Sequence, residues 1–183
     1  LIPYGSIFLD KPPPLPFHAA MSRNATGTAE DGDRLGRIHA KLREKSRFRT
    51  VYRLAILANF HNLLVVPKLE KEFDILRDEF NILFCLAEAG PMTGTDVCRI
   101  TGRPRNSVSR CAERLARRML ITSKAGEADR RMTSFAILPA GRALYKSMLP
   151  LVEQSEEQMF SGLTAGERRT LDKLLTKLVS QHS

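Results

Sequence analysis

The stretch GTDVCRITGRPRNSVSRCAERLARR, residues 94–118, decides the fold. It reads as two short helices around a tight turn. Thr93 or Thr95 is placed to cap the first, Val97 and Ile100 face inward, and Gly102 ends it. The turn is Gly102-Arg103-Pro104, and Pro104 suits the first turn of a second helix, because a proline there gives up no intrahelical hydrogen bond. That helix is expected over residues 105–118. Val108, Cys111, Ala112 and Leu115 recur at i, i+3, i+4, i+7 and form its buried stripe. Arg105, Asn106, Ser109, Arg110, Glu113, Arg114 and Arg117 fall on the opposite face.

Downstream, residues 120–124 and 133–138 read as two strands, and the polar segment 125–131 as the hairpin loop between them. Helix, tight turn, helix and hairpin in that order describe a winged helix-turn-helix. In such a unit the second helix can enter the major groove of DNA, which is about 12 Å wide and admits one helix. Upstream, residues 78–89 read as a helix with a core stripe of Phe80, Leu83, Phe84 and Ala87, stopped by Gly90 and Pro91. Residues 35–72 read as a long helix. Its first half is basic, with Arg37, Lys41, Arg43, Lys45, Arg47, Arg49 and Arg53. Its second half is apolar nearly all round, so a partner subunit is expected to cover it, and Pro67 is expected to kink or end it. Pro139 opens a helix to about residue 160 with Leu144, Met148, Leu151 and Val152 on one side. Thr164 and Glu167 form a capping box ahead of a last helix carrying Leu171, Leu174, Leu175 and Leu178.

The expected fold is therefore mainly α with a small two-stranded β wing: a winged helix-turn-helix with dimerisation helices from both chain ends. Four segments follow. Residues 1–35 form a Pro/Gly-rich extended arm, 36–76 an N-terminal dimerisation helix, 77–138 the winged DNA-binding region, and 139–183 the C-terminal dimerisation helices. Met21 offers a candidate native start, which would make residues 1–20 vector-derived or upstream sequence.

Charge points to the same region. The 183-residue chain carries a net charge of +9. Between Met92 and Arg142 stand eleven Lys or Arg against four acidic residues, so most of the net charge is expected in this segment. Clustered cations are the footprint of a phosphate-neutralising surface. Three cysteines without a C-x-x-C pair argue against a disulfide framework or zinc site and fit a cytoplasmic location. The histidines have no metal-ligand spacing, no apolar run reaches membrane-spanning length, and no catalytic cluster or nucleotide loop occurs. Neither metal, cofactor, membrane nor enzymatic activity is expected.

The chain resembles the MarR family of bacterial regulators over roughly residues 35–183. Asp129-Arg130-Arg131 followed ten residues later by Gly141 is similar to the family's wing signature. Asn106 through Arg110, continuing to Leu115 and Leu120-Ile121, resembles its recognition helix, and residues 163–169 resemble the opening of its last helix. The resemblance implies a triangular homodimer on double-stranded DNA, acting as a regulator, in most cases a repressor, on a pseudo-palindromic operator. It implies that Arg131 enters the minor groove, with Arg130 nearby and Asp129 bracing the wing. Thr93, Thr95, Arg103, Arg105, Asn106, Ser107, Ser109, Arg110, Arg114 and Lys124 complete the expected DNA-contacting set. A small aromatic effector is a further implication. The alternative is a winged module for protein interaction, or non-specific architectural binding.

Two departures from the family pattern bear on wing placement. Met119 stands where glycine is usual before the first wing strand, and methionine resists positive φ. Leu138 stands where threonine usually caps the long helix, and leucine has no capping oxygen. The oxidant-sensing branch uses a cysteine near the start of the first long helix, which this chain lacks. Cys85 and Cys111 are expected to be buried, inert thiols and Cys98 partly exposed.

Overall fold

The computed structural model describes residues 29–45, 47–125 and 133–181. The expected extended arm up to residue 28, and the wing loop 126–132 with Asp129, Arg130 and Arg131, lie outside the described residues. The elements in order are α1 (Ala29–Lys45), α2 (Arg49–Phe73), α3 (Arg77–Glu88), β1 (Met92–Thr93), α4 (Gly94–Thr101), α5 (Arg105–Arg117), β2 (Ile121–Ala125), β3 (Thr133–Ile137), α6 (Pro139–Met159) and α7 (Ala165–Ser180). The chain divides into two compact units. One comprises Leu1–His61 with Glu156–Ser183, the other Asn62–Ser155.

In the Asn62–Ser155 unit, Ile82, Leu83, Leu86, Val97, Leu115 and Met148 are wholly buried, or nearly so, in one cluster with Leu69, Ile75 and Ile121. Burying each such side chain is worth about 1.5–3 kcal/mol. The α5 stripe is as expected: Val108, Cys111, Ala112 and Leu115 are all buried. The α3 stripe differs. Its buried face is Glu79, Ile82, Leu83 and Leu86, while Phe84 is exposed and Phe80 half-buried. The helical spacing is right, but a carboxylate occupies the first place in the stripe. Ile100, expected inward, is exposed as well.

The expected two-stranded wing is a three-stranded antiparallel sheet in the order β1-β3-β2. The two residues Met92 and Thr93 pair with Phe135 and Ser134. So short a strand carries no alternating pattern, which is why periodicity could not find it. β2 and β3 pair from Ile121↔Ile137 to Ala125↔Thr133. Met119 adopts φ +56° before β2, so the bend usually made by glycine is kept at the cost of strain. At Gly141 in the first turn of α6, a Cβ would lie 2.0 Å from the Leu120 carbonyl oxygen. Leu138 N–H donates to that same oxygen at 2.9 Å, which fixes the approach. Only glycine admits this contact between α6 and the start of the wing.

In the other unit, the long helix expected over 35–72 is broken. α1 already starts at Ala29, within the stretch expected as arm, and α2 starts at Arg49 after a turn at Arg47-Phe48. The two are clasped where His39 Nδ1 lies 2.7 Å from the Tyr52 hydroxyl. Pro67 is accommodated inside α2 without ending it. α7 opens with the expected capping box. Glu167 N–H donates to Thr164 Oγ1 at 3.3 Å, and Thr164 N–H donates to Glu167 Oε2 at 2.8 Å. No residue of α7 is buried: Leu174, Leu178 and Val179 stand exposed.

Candidate nucleic-acid interface

Helix α5 is held from behind by carboxylates of α3 and the turn before it. Asp74 ends α2 in the left-handed region at φ +52°, with Ile75 N–H donating to Leu69 O at 3.2 Å in the manner of a Schellman cap. Its carboxylate and carbonyl then face α5. Arg114 Nη2 contacts Asp74 Oδ1 at 2.6 Å, and Arg114 Nη1 contacts Glu79 Oε2 at 2.6 Å. The same Glu79 oxygen accepts Leu76 N–H at 2.8 Å, supplying from the third helical residue the cap that a leucine cannot give. Desolvation pulls the Arg114 pKa down, but the bond to Asp74 and the charges of Glu79 and Asp74 outweigh it and leave the guanidinium firmly charged. Arg118 Nη1 closes the set on Asp74 O at 2.6 Å.

Asp78 holds the other end of α5. Arg103 Nη2 donates to Asp78 Oδ2 at 2.9 Å, and Arg103 Nε sits 2.7 Å from Oδ1, an ionic contact poorly aligned as a hydrogen bond. Ser107 Oγ donates to Oδ2 as well. Burial pushes the Asp78 carboxyl up, yet the bonds from Ser107 and Arg103 overcome this and hold it below its ordinary value. Three residues of the expected DNA-contacting set, Arg103, Ser107 and Arg114, thus spend their donors within the fold.

The outer face of α5 is left open. Arg105, Asn106, Ser109 and Arg110 are exposed along its first two turns. Ser109 Oγ reaches Glu113 Oε1 at only 3.4 Å. Among the described residues, Arg105, Asn106 and Arg110 make no hydrogen bond or ion pair. Thr95, Arg105 and Ser109 line one side of a cleft of about 340 Å³ whose other side is Ser123, Thr133 and Phe135 of the wing strands. Lys124 is exposed on β2 opposite Ser134. Thr93 is the N-cap of α4. It accepts Asp96 N–H at 3.2 Å and donates to Asp96 Oδ2 at 2.6 Å, which lowers the Asp96 pKa.

Sequence reasoning missed Asp74, Asp78, Glu79 and Arg118. The available signal was Glu79, which shares the i, i+3, i+4, i+7 spacing of Ile82, Leu83 and Leu86. A buried carboxylate in an apolar stripe needs a cationic partner, and the half-buried Arg114 supplies it. Cys85 and Cys111 are buried as expected, and desolvation raises both thiols, which disfavours the reactive thiolate. Among the described residues no cluster of potential metal ligands occurs, and no helix is long and apolar enough to cross a membrane.

Comparison with known proteins agrees with this geometry. The profile described as MarR family matches residues 73–132. The HTH-type transcriptional repressor NicR of Pseudomonas putida is 29% identical over 101 residues, covering 55% of this chain. The chain spans 64% of that relative's length. A structure described as the mechanism for regulation of DNA binding of Bordetella bronchiseptica BpsR by 6-hydroxynicotinic acid superposes with a TM-score of 0.62 at 28% identity. It covers 72% of this chain and 98% of that chain. An E. coli MarR mutant complexed with operator DNA shares the fold, with a TM-score of 0.61 at 20% identity over 75% of this chain and 96% of that one. These relatives are regulators by name, not enzymes. With its three-stranded wing, its pinned second helix and these matches, the chain is a winged helix-turn-helix protein similar to MarR-family regulators, and its residues 73–132 match the family's model.

Proposed function

We propose that the chain is a sequence-specific, double-stranded-DNA-binding transcriptional repressor. It acts in the cytoplasm as a homodimer on a pseudo-palindromic operator, under the control of a small aromatic effector. The observation that carries this reading is the division of labour on α5. The inner donors are held by Asp74, Asp78 and Glu79, while Arg105, Asn106 and Arg110 remain free at the surface and Ser109 is held only by a long bond to Glu113. A helix fixed in orientation with unspent donors on its outer face suits base-edge reading in the major groove, where Arg pairs with guanine and Asn with adenine. Arg130 and Arg131 would add minor-groove contacts from the wing, with Asp129 as their brace.

The homodimer is supported by apolar surface that the single chain leaves uncovered. Leu57 of α2 faces Phe160, Leu163, Leu171 and Leu174 across an apolar hollow of about 770 Å³, and no residue of α7 is fully buried. Two copies would place two recognition helices on major grooves about 34 Å apart. Similarity to BpsR, which is described as regulated by 6-hydroxynicotinic acid, favours a hydroxylated aromatic acid as effector.

The test is a pair of variants on duplexes selected by the wild type. Asn106→Ala and Arg110→Ala should each weaken binding to the preferred site by about 1–3 kcal/mol and relax base preference at one position per half-site. Loss of affinity equal for all sequences would leave phosphate contact without reading, and so contradict sequence specificity. Titration with hydroxylated aromatic acids should weaken the wild-type complex. A complex indifferent to all of them would remove the effector from the account.

A further inference from the structure

The charge of the chain is not confined to the winged unit. Between Arg34 and Arg53 the sequence carries eight Lys or Arg against the single acid Glu44. That net charge equals the excess between Met92 and Arg142; the rest of the chain is net acidic, which is why the total stays at +9. The second basic segment folds as α1 and the start of α2. Arg34, Arg37 and Lys41 are spaced 3 and 4 residues apart, so they lie along one face of α1, and all three are exposed. Arg47, Arg49 and Arg53 are exposed at the turn and on the first turns of α2. The His39–Tyr52 contact at 2.7 Å and the neighbouring rings, 6.4 Å apart, hold α1 to α2, so the charges sit on a clasped pair of helices. Solubility alone is served better by interleaved signs, whereas a one-signed exposed surface suits a polyanion.

We propose that the α1–α2 pair is a second, sequence-independent phosphate-binding surface, which engages the DNA backbone outside the bases read by α5. This rests on the DNA-binding reading above. The occupant is duplex DNA, because the same chain presents a separate basic reading helix, and phosphate contacts fix position while base contacts specify. Each phosphate neutralised by Lys or Arg releases condensed counterions and steepens the salt dependence of affinity by about 0.9 in the log–log slope.

The experiment compares two duplexes for the full-length protein: the selected operator alone, and the same operator with random flanks on both sides. Wild type should bind the flanked duplex more tightly and with a steeper salt slope. The variant Arg34→Gln/Arg37→Gln/Lys41→Gln/Arg49→Gln should lose that excess slope, by about 0.9 per contact removed, and roughly tenfold in affinity for the flanked duplex at physiological salt. Its base preference and its mass by light scattering should match wild type. Replacement of the three arginines by lysine should retain the wild-type slope, which separates charge from fold damage. Equal slopes on both duplexes in the wild type, or an unchanged slope in the Gln variant, would overturn the proposal while leaving base reading intact. Loss of pelleting with phosphatidylserine vesicles in the Gln variant, with its DNA slope unchanged, would overturn it in favour of an acidic membrane. A wild type that bound neither duplex would overturn this proposal and the DNA-binding reading together.

Discussion

Met119 shows how a single side chain can be retained against its backbone preference. Its φ of +56° belongs to the left-handed region, which costs a non-glycine residue roughly 1–2 kcal/mol, and its side chain is 68% exposed, so packing returns little. Met119→Gly should therefore stabilise the protein by up to about 1 kcal/mol after the entropy of the unfolded glycine is counted, and raise Tm by about 2–4 °C. An unchanged or lower Tm would mean that Met119 makes a contact in the assembly. Asp78 gives a residue-scale pH prediction. Its folded pKa lies below the ordinary 3.8, so its contribution to stability is fully present above that value and is lost as pH falls through the depressed one. Asp78→Asn should flatten the fall of Tm on acidification below about pH 4. Wild-type steepness in that variant would remove Asp78 from the acid response.

At the scale of elements, α5 depends on what lies behind it. Glu79 is wholly buried and has Arg114 as its charged partner, so Arg114→Met leaves an uncompensated carboxylate and should cost about 3 kcal/mol in chemical denaturation. The double variant Glu79→Leu/Arg114→Met should recover most of that loss. A neutral single variant would show the pair to be idle. Gly141→Ala should be damaging beyond the usual overpacking cost of about 1–3 kcal/mol, because the methyl meets the Leu120 carbonyl rather than a movable side chain. The stripe of α5, the turn at Gly102, the Thr164 cap and β3 were legible in the sequence, since each is a local pattern or a local bond. The role of Arg114, the first strand and the break at Arg47-Phe48 were not. They depend on partners about 40 residues away or on pairs too short for periodicity, as with Arg114 and Asp74, and Thr93 and Ser134. The break adds that two helical patterns abutting without Gly or Pro read as one.

At the scale of the whole molecule, the exposed Leu174, Leu178 and Val179 and the uncovered apolar positions Val51, Leu54 and Leu57 of α2 predict a homodimer. Sedimentation at micromolar concentration should give twice the chain mass of 20.6 kDa, and Leu174→Glu/Leu178→Glu should give monomers that bind DNA weakly. A wild-type monomer would break the link between the uncovered faces and the paired recognition helices. The central claim is that two copies of α5 read bases, and its most direct test is selection from a pool of random duplexes by the purified protein, followed by sequencing. The account predicts enrichment of an inverted repeat whose half-sites are centred about one helical turn apart. Binding without enrichment of any sequence would contradict it.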